Sequence, residues 1–141
     1  MTVARQFLYV RELAGNRGLR VNAMQTWGGG KLGDSWCCFF ATMVFDICYQ
    51  GKCELPRTGS CDEVLEVARS SGLVVETPAV GDIALSMRGP HDAHHIAIVT
   101  GINPLRAIAG NTSKDGTSSN GDGVYEHEIS PKNKIFVRVP E

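Results

Sequence analysis

Residues 33–52 read GDSWCCFFATMVFDICYQGK, and this stretch decides the fold. From Trp36 to Tyr49 the chain is apolar, with only Thr42 and Asp46 as polar relief, and Gly51 stops it. A helix that is apolar nearly all round has no face to offer water, so it is expected to be the buried central helix of its domain. Asp34 or Ser35 stands where an N-cap is needed, with an oxygen that can accept from the first-turn N–H groups. Cys37 then falls within that first turn. A free cysteine, with a pKa near 8.5, is mostly protonated at neutral pH; unpaired N–H groups and the helix dipole at a helix start favour its thiolate. Cys38 follows directly, but helical geometry turns it about 100° away, so the two thiols do not share one cleft. Burial alone makes a cysteine a packing residue; its place at the helix start is what sets Cys37 apart.

Outward from this helix, helical spacing continues on both sides. Apolar residues Val3, Phe7, Leu8, Val10 and Leu13 predict a helix over 3–14, stopped at Gly15-Asn16. A shorter one is predicted over 19–27, ending at Gly28-Gly29-Gly30. Residues 28–33 read as a flexible glycine loop without the Lys-Ser/Thr ending of a phosphate-binding loop. Gly59-Ser60 precedes an amphipathic helix over 62–71, with Val64, Leu65, Val67 and Ala68 inward and Gly72 closing it. Beyond Leu73 the character changes to short β-branched runs at 83–87, 95–102, 105–109, 123–129 and 134–139, with Asn103-Pro104 as a tight turn. Segment 110–123, GNTSKDGTSSNGDG, is too long and polar for a hairpin and is a candidate functional loop. Helices first and sheet second, without βαβ alternation, is the α+β pattern. With neither internal repeat nor linker, residues 1–141 are expected to form a single domain.

A nucleophile needs a base, and the histidines are His91, His94, His95 and His127. His95 opens the predicted strand HIAIVTGI, where its side chain can lie over the start of a helix packed on the sheet. Alternation puts His95 on the face of Ala97 and Val99, and a small residue at 97 leaves room for the cysteine-bearing helix. A catalytic imidazole also needs its other nitrogen held, and Asn111, at the end of the next strand, lies where an antiparallel neighbour would meet His95. A turn-forming Asn after Gly110 is the plain alternative. HDAHH gathers Asp92, His91, His94 and His95, but a loop and strand lack the helical spacing of a zinc motif, and there is no CxxC pair, so no metal and no cofactor are expected. The formal charge of −1 offers no reason to bind nucleic acid or an anionic membrane.

Four stretches, in order along nearly the whole chain, resemble one family. GDSWCCFF resembles the nucleophile motif of CHAP-domain amidohydrolases/peptidases, PAVGDIALSM their Pro-x-x-Gly-Asp-Ile strand, HHIAIVTGI their catalytic-histidine strand, and IAGNTSKDG the strand end carrying the third residue. The lead-in AGNRGLRVNAMQTWGGGKLGDSW is similar to that of the same family. The resemblance implies a papain-like fold, with N-terminal helices on a C-terminal antiparallel sheet and the nucleophile at the N-terminus of the central helix. It carries over Cys37 as nucleophile, His95 as general base and Asn111 as the residue orienting the imidazole. Two departures stand out: Ala109 replaces a frequent Glu, and Cys38 replaces the small residue after the nucleophile. The Asp-rich calcium-binding stretch of some members is absent upstream of Cys37.

Family members cut peptide or amide bonds of bacterial peptidoglycan, so that polymer, at its peptide stem or cross-bridge, is the expected partner of a monomeric enzyme. Trp27, Trp36, Asp34 and His94 are expected to contact substrate. Alternatives are a protease or effector toxin acting on protein, and a wall-binding module without activity. Arg5, Arg11 and Glu12 interrupt the N-terminal apolar run, so neither a signal peptide nor membrane insertion is expected. Synthesis in the cytoplasm, with delivery to the wall by lysis or another export system, follows. Five cysteines leave at least one free thiol; reduced thiols are expected, with a Cys53–Cys61 or Cys48–Cys61 bridge as the alternative.

Overall fold

The computed structural model describes residues 2–114 and 120–140. Four helices, α1 (Thr2–Arg5), α2 (Leu19–Trp27), α3 (Cys37–Cys48) and α4 (Cys61–Ser70), precede six strands. These are β1 (Val74–Val75), β2 (Ile83–Met87), β3 (Ala93–Ile102), β4 (Leu105–Thr112), β5 (Gly123–Glu128) and β6 (Lys134–Val137). They form one antiparallel sheet in the order β1-β6-β2-β3-β4-β5. The architecture is α+β. Among the described residues no helix is long and apolar enough to cross a membrane.

α3 is as buried as its composition requires. Trp36, Phe40, Val44 and Phe45 pack in one core with Ile83, Leu85, Ile96, Ile98 and Ile108 of the sheet. Close approach to β4 depends on Gly110, where a Cβ would stand 2.8 Å from both Phe40 Cβ and Trp36 Cζ3. The 28–33 loop is anchored rather than free. Phe39 fills the space at Gly28, Gly30 and Gly59, where any Cβ would run into its ring.

Three expectations need correction. The helix predicted over 3–14 stops at Arg5. The chain instead pairs with the start of β5: Val124 N donates to Val10 O (3.1 Å), Glu12 N donates to Asp122 O (2.7 Å), and Arg11 bridges to Gly123. Sheet hydrogen bonds take the backbone groups that the apolar spacing had assigned to a helix. The polar run 110–123 begins as strand, since β4 continues through Gly110, Asn111 and Thr112; its residues 115–119 lie outside the described ones. On β3 the helix-facing set is Ala93, Ile96 and Ile98, while Ala97 packs with Ala107 and Ala109 on the other face. Ala97 is thus not the residue that makes room for the cysteine-bearing helix; the register shift against β2 falls before His95, between it and Ala93, and pairing is regular from His95 to Ile98.

Candidate active site

Cys37 is the first residue of α3, one position earlier than a Ser35 cap implied and two earlier than an Asp34 cap. Trp36 occupies the N-cap and offers no side-chain cap. Asp34 Oδ2 instead accepts from Lys31 N (2.8 Å), and Ser35 Oγ accepts from Asn111 Nδ2 (2.8 Å). The first helical bond runs from Phe40 N to Trp36 O (3.0 Å), so the N–H groups of Cys37, Cys38 and Phe39 have no helical acceptor. That leaves a positive helix start at the thiol.

The Cys37 side chain is 4% exposed and faces the Cys61 thiol and the His95 imidazole. Its pKa is pushed well above the ordinary thiol range, first by the contact with Cys61 and then by burial; His95 pulls the other way and does not prevail. At rest, therefore, Cys37 is a protonated thiol. His95 Nδ1 is buried with no partner. Catalytic hydrogen bonds are often long before substrate arrives.

Asn111 lies on β4, three residues beyond Ile108, the partner of Ile98 on β3, and reaches the segment before Cys37 through Ser35. Asn111 is fully buried, has φ of 53°, and sits where the register between β4 and β5 shifts. Its left-handed backbone is one that Asn tolerates better than most residues. No hydrogen bond joins it to His95: Nδ2 is given to Ser35, and Oδ1 is buried without a partner. Both Oδ1 and His95 Nδ1 thus carry the cost of an unmade hydrogen bond, roughly 1–3 kcal/mol for a buried group.

The four residues expected to contact substrate fare differently. Trp36 is fully buried, and its indole Nε1 donates to Glu12 Oε2 (2.9 Å), so it is a core residue and not a cleft wall. His94 lies with Arg88, Asp92 and Lys134 rather than at Cys37; burial and the cations Arg88 and Lys134 lower its pKa. Asp34 does line a groove of about 520 Å³, together with Ser35, Phe39, Arg57, Ser60 and Glu63. Trp27 reaches that groove through Arg57, whose guanidinium lies 4.9 Å from the indole centroid. A larger hollow of about 820 Å³ lies at the opposite end of α3, beside Cys48, Tyr49, Asp82 and Arg138. Neither hollow is lined by Cys37, His95 or Asn111; the smaller one includes Ser35, which accepts from Asn111 and lies two residues before Cys37, and Ser60, which precedes Cys61.

Two residues escaped the sequence reading. Cys61, the first residue of α4, is buried against Cys37 and Cys38 instead of facing Cys48 or Cys53. All five cysteines are free thiols. The contact with Cys37 lowers the Cys61 pKa, while Cys38 and burial raise it and prevail. Its signal was available: Ser60 caps α4 by accepting from Glu63 N (3.2 Å), which puts Cys61 at a helix start as Cys37 is. Gln25, fully buried on α2, donates from Nε2 to Asn16 O (2.8 Å) and Asp34 O (2.7 Å), tying α2 to the segment that enters α3. Nothing in helical periodicity distinguishes that glutamine from a surface one.

Among the described residues, no group of three or more His, Cys, Asp or Glu side chains is placed to hold a metal ion. No family model, curated protein or solved structure matches the chain.

Proposed function

We propose that the chain is a cysteine hydrolase of the papain-like kind, a peptidase or amidase cutting peptide or amide bonds of bacterial peptidoglycan. The observation that supports it is the contact between Cys37, at the start of a buried helix, and His95 on the adjoining sheet. The choice of peptidoglycan rests on the resemblance of the four motifs to CHAP-domain enzymes.

In this reading His95 takes the Cys37 proton as the thiol attacks the carbonyl carbon. The unpaired N–H groups of the first turn of α3 receive the developing oxyanion. His95 then returns the proton to the leaving amine and activates water to release the acyl group. Asn111, held through Nδ2 by Ser35, keeps Oδ1 available to orient the imidazole. The groove of Asp34, Ser35, Arg57 and Glu63 offers both signs of charge to a substrate.

The opposing reading, an inert wall-binding module, draws on the burial of Cys37 and its raised pKa. Labelling with a thiol-reactive acylating probe separates the two. Selective acylation of Cys37 that depends on His95 is expected; a Cys37 no more reactive than an unfolded cysteine would refute the enzyme. Mass spectrometry of products from purified peptidoglycan then identifies the bond, and products from casein alone would reassign the substrate to protein.

A further inference from the structure

The proposed mechanism leaves one buried nucleophile unused. Cys61 and Cys37 are buried in the same core cluster, where their thiols face each other, and the two are matching positions, each the first residue of its own helix. Disulfide formation needs two sulfurs already neighbours and one of them deprotonated. Cys38 also touches Cys61 but is fully buried. Cys37 has the slightly greater exposure and has His95 beside it to take its proton.

We propose that Cys61 is a resolving thiol for Cys37, so that peroxide closes a Cys37–Cys61 disulfide which switches the site off and which a dithiol reopens. Its effect on activity rests on the hydrolase reading; the cross-link itself does not. The oxidant is hydrogen peroxide. The Cys37 sulfur, its proton passed to His95, attacks one peroxide oxygen; the O–O bond breaks, Cys37 becomes a sulfenic acid, and the departing hydroxide takes up the proton as water. Cys61 then attacks the sulfenyl sulfur, forming the S–S bond as hydroxide leaves with the Cys61 proton as a second water. Two thiols lose two electrons, which reduce one peroxide to two waters. The disulfide occupies the sulfur that would attack substrate, and it also spares Cys37 from irreversible sulfinic and sulfonic acids.

The test treats the folded protein with hydrogen peroxide, blocks residual thiols with iodoacetamide, and maps the peptides by mass spectrometry. A Cys37–Cys61 linked peptide with the loss of two hydrogens is expected, together with loss of acylating-probe labelling and its return after dithiothreitol. In Cys61→Ser the same treatment should drive Cys37 to sulfinic and sulfonic acid, with no return of labelling, while Cys38→Ser should behave as the wild type. A Cys38–Cys61 link, or overoxidation of Cys37 equally fast in wild type and Cys61→Ser, would overturn the proposal. Should Cys61→Ser fail to fold, the wild-type peptide map decides alone. A reversible Cys37–Cys61 link in a protein that never hydrolyses an amide would keep the resolving pair and remove the enzyme.

Discussion

At the C-terminal end of α3, Asp82 is 2% exposed and both of its carboxylate oxygens are taken. Oδ1 accepts from Arg138 Nε (2.9 Å), and Oδ2 accepts from Arg138 Nη2 (2.8 Å) and Ala79 N (2.7 Å). At the N-terminal end, about 18 Å away along a twelve-residue helix, Asn111 Oδ1 and His95 Nδ1 are equally buried and have no partner. The same helix and the same sheet thus have one end whose buried charge is satisfied and another whose buried polar atoms are held in reserve. The larger hollow accompanies the satisfied end. The two ends therefore differ in hydrogen-bond satisfaction as well as in volume, and the proposed chemistry belongs to the end with the unmade bonds.

The most direct way to break this contrast is to remove the nucleophile. Cys37→Ala is expected to lower amide hydrolysis by about 10⁴- to 10⁶-fold, with circular dichroism and Tm near those of the wild type. Cys38→Ala should keep most of the activity, since that thiol is fully buried and faces Cys61. Comparable rates for wild type and Cys37→Ala would remove the whole functional end.

Next in size is the base. His95→Ala should cost about 10²- to 10⁴-fold in kcat/KM. His94→Ala and His127→Ala should stay within a few-fold, because His94 lies with Arg88, Asp92 and Lys134, and the His127 Nδ1 contact is with Glu128 O. Steady-state kinetics on one substrate with all three variants ranks them. A larger loss at His94 than at His95 would move the site to another part of the molecule.

The two ends can then be set against each other in one experiment. Asn111→Ala is expected to reduce turnover roughly ten- to a thousandfold and to lower Tm as well, since it removes the bond to Ser35 and puts alanine in a left-handed backbone. Asp82→Ala should lower Tm by several degrees and leave kcat within a few-fold, because it strands Arg138 and the Ala79 N–H. Thermal melts beside turnover numbers check both, and a loss of turnover in Asp82→Ala as large as in Asn111→Ala would erase the distinction between ends.

How much of this was legible in the sequence follows from which forces decide each element. α3 was legible because a run apolar on every side has one solution, and β2 because its short apolar run lies between Gly81 and Gly89-Pro90. The helix over 3–14 failed because hydrophobic spacing carries no information about a distant strand edge that needs partners, here the start of β5. Cys37 does face His95, and Asn111 reaches the segment before Cys37 through Ser35, but the room for the helix is not made by Ala97, which packs on the other face of β3. Asn111 bonds Ser35 rather than His95, a partner 76 residues away that no local pattern announces. Trp36 illustrates the remaining ambiguity: a tryptophan before a nucleophile suits a cleft wall and a core equally, and Glu12, unreadable as its partner, holds it in the core.

The smallest expected effect concerns the acidity of Cys37, and it sharpens what the contact with Cys61 does in the resting protein. That contact is the largest cause raising the Cys37 pKa, ahead of burial. Removing the second thiol in Cys61→Ala should let the Cys37 pKa fall, although burial keeps it above the ordinary range. Alkylation of Cys37 by iodoacetamide, followed against pH, should accordingly rise at lower pH in Cys61→Ala than in the wild type. The same shift has a stability consequence whose sign is fixed by linkage. A thiol whose folded pKa exceeds its unfolded value of about 8.5 stabilises the fold fully below that pH, and the contribution is lost as pH rises toward the folded pKa. Wild-type Tm should therefore decline from about pH 8.5 upward, and Cys61→Ala should decline less steeply because two raised thiols have been reduced to one lowered toward normal. An alkylation profile that stays put, or moves to higher pH, would mean that burial alone holds the proton on Cys37 and that its neighbour across the helix starts is a packing residue.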